Sequence, residues 1–338
     1  MALYDLTLNE IQEYLKLEPY RARQVVEFMY KHLGDLSKAS ALPKNVLNQI
    51  AGDPYFQTSL KLLKLSQCDN GQTHKFLFEL NDHKLIESVL MQYHNRSSVC
   101  ISTQSGCKMN CSFCATGQMG FKRNLTKGEI VEQVITLMRF CLRNNYRPVT
   151  NLVFMGMGEP LDNYENTVSA SWTIKNDLNL GAKHITISTV GIVPAIESMA
   201  DDNLPFRLAV SLHGADNETR SRIVPINKKY PIETLVAALK KYLMASGSRR
   251  ISLEWTLIEG TNDSIDQAIK LSKIAKDLKA HVNLIYLNPT KATLNRPTDK
   301  NTALAFKSML DNHGINCTLR RTRGQSIDAA CGQLASIN

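Results

Sequence analysis

The chain has 338 residues, 43% of them hydrophobic and 21% charged, which is too apolar for intrinsic disorder and enough for one large core or a core with a small appendage. No apolar run reaches membrane-spanning length, and the N-terminal stretch MALYDLTLNEIQEYL has no basic-then-apolar leader, so a soluble, cytoplasmic protein is expected. The net charge of +9 falls wholly within residues 97–338, because residues 1–96 hold 11 basic and 11 acidic side chains; a positive surplus favours polyanionic partners.

Residues 1–58 carry apolar side chains at helical spacing in LTLNEIQEYLKL, RARQVVEFMYKHL and LPKNVLNQIAG, punctuated by Pro19 and Pro43. This predicts a small N-terminal helical domain. Over residues 59–96 the pattern shortens to KFLFEL and KLIESVLMQY, with the turn residues DNGQ and NDH between, as expected of a β-ribbon connector. From residue 97 to 338 short apolar runs alternate with helical stretches. The strand candidates are SVCISTQ, TNLVFMGM, HITISTV, RLAVSLH, ISLEWTLI, HVNLIYLNP and INCTLRRT, and the clearest helices fall at 128–144, 231–245, 264–279 and 300–313. Strand, crossover helix and strand repeated about six times predict a parallel sheet covered by helices, an α/β fold. The alternation alone leaves a doubly wound sheet and a barrel-like sheet open. No G-x-G-x-x-G turn opens the unit, which counts against a dinucleotide-binding version.

The unusual polar residues gather at the C-terminal ends of these strands. The loop SGCKMNCSFCAT follows the first, GMGEP the second and Ser188-Thr189 the third, while Ser211 and His213 close the fourth and Asn288 the sixth. In a barrel-like sheet those ends share one rim, where active sites are built. The loop holds Cys107, Cys111 and Cys114 at C-x3-C-x2-C spacing with no fourth cysteine nearby. A closed zinc site needs four protein ligands, so three suit either a knuckle completed from afar or a cubane cluster with one iron left for another molecule. Eight cysteines without a paired framework point to a reducing compartment with metal or redox chemistry. Cys68, Cys141 and Cys317 read as small core residues.

CKMNCSFC resembles the signature of radical S-adenosylmethionine enzymes, three cysteines with an aromatic, Phe113, before the third. Together with FMGMGEPLDN, SLHGADNETRSRIVPIN, NLIYLNP and TRGQSIDAACGQL, it is similar to the RlmN/Cfr family of RNA adenine methyltransferases over residues 75–335. The resemblance implies a partial (β/α)6 radical-SAM barrel. It implies a 4Fe–4S cluster on Cys107, Cys111 and Cys114, and S-adenosylmethionine, two per turnover, held by Gly158, Glu159, Ser188, Ser211, Leu212, His213 and Asn288. It implies that Cys331 carries the methyl group as a thioether, that Cys100 resolves the covalent protein–RNA intermediate through a transient disulfide, and that Glu87 accepts the proton. The partners implied are 23S ribosomal RNA and an electron donor such as a flavodoxin or ferredoxin system, with transfer RNA left open as a second substrate. Methylation at carbon 2 of adenine is expected from TRGQSIDAACGQL and the proline of GMGEP; the Cfr-type outcome at carbon 8 and a zinc-bound, non-enzymatic RNA-binding protein are the alternatives.

Overall fold

The computed structural model describes residues 3–34, 42–53, 56, 58–245, 250–290, 294–320 and 322–335. Three helices come first, α1 (Leu8–Tyr14), α2 (Pro19–Lys31) and α3 (Lys44–Gly52). Thr7 starts α1 with a capping box, its hydroxyl accepting from the Glu10 N–H while the Glu10 carboxylate accepts from the Thr7 N–H, and Pro19 opens α2 where its missing N–H costs nothing.

Strands β1 (Leu60–Cys68), β2 (Thr73–Leu80) and β3 (Leu85–Gln92) follow as an antiparallel meander. β3 pairs with β4 (Ser97–Cys100), and the sheet runs unbroken past residue 97. β5 (Gln104–Gly106) and β6 (Phe121–Asn124) form a separate pair that brackets the cysteine loop and its one-turn helix α4 (Ala115–Gln118).

The remaining elements alternate as α5 (Lys127–Arg143), β7 (Val149–Phe154), α6 (Tyr164–Asn176), β8 (Ile185–Thr189), α7 (Val193–Asp201), β9 (Arg207–Ser211), α8 (Asn217–Ile223), α9 (Ile232–Met244), β10 (Ile251–Leu257), α10 (Ile265–Asp277), β11 (His281–Tyr286), α11 (Lys300–Asn312) and β12 (Cys317–Arg320). Every strand pairing from β4 to β12 in the main sheet is parallel, and the order β4-β7-β8-β9-β10-β11-β12 follows the chain without reversal. A doubly wound sheet would reverse at a switch point. The sequential order makes this the singly wound, barrel-like form, open between β12 and the meander.

One apolar core binds the layers. Trp255 on β10 is fully buried against Phe306 on α11, and Phe206 packs on Trp172 of α6. The N-terminal helices share this core through Ile11, Val25, Phe28 and Met29. They are also pinned to α5, where Asp5 accepts from the Gly128 N–H and Arg139 reaches the Leu33 carbonyl and the Tyr4 hydroxyl.

Candidate active site

The cysteine loop leaves β5 through Gly106 and turns beneath the rim. Its backbone is held from three directions: Cys107 N–H donates to the Gly120 carbonyl, Ser112 N–H to the Ile223 carbonyl, and Ala115 N–H to the Gly332 carbonyl at 2.7 Å. All eight cysteines are free. The thiols of Cys107, Cys111 and Cys114 line one open cavity of about 880 Å³. Burial pushes the Cys107 thiol up to about 12 and that of Cys111 well above the usual range, with Cys114 and Cys107 adding to the effect on Cys111. Such neutral, crowded thiols are donors awaiting a cation that displaces their protons.

The same cavity is lined by Gly158, Glu159, Ser188, Ser211 and His213. The turn after β7 is tight against β5: Gly158 has φ +100°, and a Cβ there would lie 2.5 Å from the Gln104 side chain. Gln104 fixes the turn by accepting from the Glu159 N–H at 2.9 Å while donating to Asp162 and Asn124. Glu159 is buried, and burial lifts its carboxyl to about 7 even though the Val190 and Leu161 N–H groups donate to it. His213 adopts φ +54°, a conformation that needs outside support in a non-glycine residue. Asn262 supplies that support by donating to the His213 carbonyl, and the Thr256 N–H donates to Nδ1 at 2.9 Å. Burial, with Arg220 nearby, drives the imidazole down to about 3, so it stays neutral. Phe113 packs edge-on against it at 4.7 Å.

A second cavity of about 720 Å³ adjoins the first, and Cys331 lines both. Cys100, at the end of β4, lies in the second with Asn288, Arg320, Tyr93 and Arg323. Asn288 donates to the Cys331 carbonyl at 3.0 Å, and its buried Oδ1 has no hydrogen-bond partner. Burial raises the Cys100 thiol, and the Arg320 guanidinium offsets this only in part; Cys331 is exposed at the surface, where Arg320 favours its thiolate.

Two residues expected at the site stand apart from both cavity walls. Leu212 is buried in the core, its carbonyl accepting from Arg220. Glu87 is buried on β3, where it binds Lys75 at 2.9 Å and accepts from the Ala335 N–H at 3.0 Å.

Sequence reading missed Glu254 and Arg320. Glu254 lies in mid-strand facing the first cavity, with Oε2 unbonded and Arg320 Nη1 3.8 Å away, too far for a hydrogen bond. A charge inside the apolar run ISLEWTL was the available signal.

The residues fit an iron–sulfur cluster. Three cysteines line the same cavity as a glycine turn and a buried carboxyl. Among the described residues no three His, Cys, Asp or Glu side chains converge as ligands of a single metal ion would, whereas a cubane takes its thiolates one per iron.

Residues 101–272 match the model of the Radical SAM superfamily. The probable dual-specificity RNA methyltransferase RlmN of Geobacillus thermodenitrificans is 41% identical over 98% of this chain and 92% of its own length. The ribosomal RNA large subunit methyltransferase N of Nitrosopumilus maritimus is 41% identical over 98% and 97%. A crystal structure of a radical SAM methyltransferase from Sphaerobacter thermophilus superposes with a TM-score of 0.94 at 43% identity, covering 100% of both chains. A singly wound sheet with three thiols at its rim, matched along almost the whole chain by these relatives, places the protein in the RlmN family of the radical SAM superfamily.

Proposed function

We propose that this protein methylates carbon 2 of adenine in 23S ribosomal RNA and in transfer RNA, working in the cytoplasm with a flavodoxin or ferredoxin as electron donor. The observation that carries the reading is Cys331, which stands where the cluster-side cavity meets the cavity containing Cys100. Cys107, Cys111 and Cys114 hold the cluster; Gly158, Glu159, Ser188, Ser211, His213 and Asn288 hold S-adenosylmethionine, with the Leu212 backbone shaping that wall. When bound, this pair supplies both the methyl group and the radical chemistry that an electron-poor adenine carbon requires.

The chain's own contribution is to carry and release. Cys331 bears the methyl carbon as a thioether, and the carrier must be a thiolate when it is loaded. Arg320 favours that form. Once the base is joined to Cys331 through one carbon, Cys100 attacks the Cys331 sulfur. The sulfur–carbon electron pair stays with the carbon on the leaving base, which takes up a proton to become the methyl group, and a Cys100–Cys331 disulfide remains until a thiol reductant supplies two electrons. Glu87 serves as proton acceptor in this scheme.

The mouth of the second cavity suits RNA. Tyr93 is flanked by Arg323 and Arg96, whose guanidinium carbons lie 4.4 and 4.7 Å from its ring centroid. Such a stack is a platform for an unstacked base, and the cations meet the flanking phosphates. Residues 1–58 act as an accessory RNA-binding domain, residues 59–96 as the link, and residues 97–338 as the catalytic core.

Cys100→Ala keeps the carrier but removes the resolving thiol, so protein from cells should carry covalently attached RNA, seen as nuclease-sensitive mass on a denaturing gel. Cys331→Ala, alone or combined with it, should carry none. Normal methylation by Cys100→Ala without an adduct would overturn the assignment. Mass spectrometry of nucleosides from cells with and without the gene should show 2-methyladenosine; 8-methyladenosine would place the reaction at carbon 8 instead.

A further inference from the structure

Arg220 on α8 is fully buried, yet every group it bonds is neutral. Nε donates to the Leu212 carbonyl at 3.1 Å, Nη1 to Asn227 Oδ1 at 2.8 Å and Nη2 to the Val190 carbonyl. Among the described residues no carboxylate pairs with it. Asp216, one turn earlier, directs its oxygens to the Thr219 N–H, Gln267 and Lys270 instead. A buried cation without a counter-charge costs several kcal/mol.

The fold nevertheless builds a place for it. A Cβ on Gly214 would lie 2.6 Å from the Arg220 backbone, so that glycine lets α8 close against the loop after β9. The end of the helix is tied to the cysteine loop where the Ile223 carbonyl accepts from the Ser112 N–H at 3.0 Å. Cys111 packs in one apolar cluster with Ile223 and Val224 at the end of α8, while Arg220 lines neither cavity. The cysteine loop is the part of the site that α8 abuts, and thiolates formed there would supply the counter-charge.

We propose that Arg220 is the built-in counter-ion of the cluster held by Cys107, Cys111 and Cys114, a positioning residue that sets how readily the cluster accepts its electron. This rests on the reading of those cysteines as cluster ligands. Reduction adds one electron and one negative charge to the thiolate-bound cluster while the guanidinium keeps its proton, so a fixed cation nearby favours the reduced form. Charge, burial and hydrogen bonding near the sulfurs set such potentials.

The test compares anaerobically reconstituted wild-type protein with Arg220→Gln, Arg220→Lys and Asn227→Asp, the last placing a carboxylate on Arg220 without removing it. Iron and sulfide are counted first, and each cluster is then titrated with dithionite at controlled potential, with the reduced form read by electron paramagnetic resonance. Arg220→Gln and Asn227→Asp should each lower the reduction equilibrium constant at least tenfold, about 59 mV for a one-electron couple. Arg220→Lys should restore most of the loss. If Arg220→Gln does not load iron, Asn227→Asp decides. Wild-type potential in a loaded Arg220→Gln or in Asn227→Asp, or a Lys variant as low as Gln, would overturn the proposal. Wild-type protein without iron and sulfide would instead remove the cluster reading beneath it.

Discussion

At the scale of single residues, the anchoring contacts of Glu87 can be separated from its proposed role as proton acceptor. Its carboxylate ties Lys75 on β2 to the backbone of Ala335, four residues beyond Cys331, so it anchors the segment that bears the carrier thiol. Removing one partner of a buried pair costs about 3–5 kcal/mol because the other charge is stranded. Lys75→Met and Glu87→Gln should therefore each lower stability in urea unfolding. The double variant should cost less than the sum, with a coupling of about 1–3 kcal/mol. Glutamine still offers an oxygen to the Ala335 N–H but is no base. If Glu87→Gln/Lys75→Met folds yet yields adduct without product, Glu87 moves the proton; if it turns over normally, Glu87 is only the anchor.

Among the elements, α8 depends on its cap. Burial pushes the Asp216 carboxyl up, but donation from the Thr219 N–H, Lys270 and Gln267 outweighs this and holds it at about 2. A carboxyl lowered in the folded state stabilises fully above its unfolded value and loses that contribution as pH falls. Asp216→Asn should thus be less stable than wild type at pH 6, and the two should converge as pH drops from about 4 towards 2. Asp216→Ala should cost about 1 kcal/mol or more at neutral pH, read by urea unfolding. The seven strand candidates after residue 97 were legible because each is a short apolar run between breaks. The helices named from sequence were those with wide apolar faces, such as α5 and α9. α6 was not, since YENTVSASWTIKN is rich in Thr, Ser and Asn and draws its helicity from burying Ala170 and Ile174 in the core, with Trp172 packed against it. Strand order was illegible because pairing is non-local. The cavity walls were legible where motif and strand end coincide, as at Glu159 and His213. They were hidden at Glu254 and Arg320, whose roles arise only when β10 and β12 bring them together.

Across the whole molecule, the shared core predicts that the N-terminal helices and the barrel unfold together. Emission from Trp172 and Trp255, both in the barrel, should change at the same denaturant concentration as the helical circular dichroism; an earlier transition for the helices would show residues 1–58 to be independent. RNA affinity should fall steeply with salt, and Arg323→Ala should flatten that slope by about one unit. The tail containing Cys331 has a further consequence. The Gly332 carbonyl accepts from Ala115, and Thr116 bonds the Leu334 carbonyl across 218 positions of sequence. During synthesis the cysteine loop leaves the ribosome long before the segment that covers it. The contacts that cover the loop therefore form only after nearly the whole chain has been made.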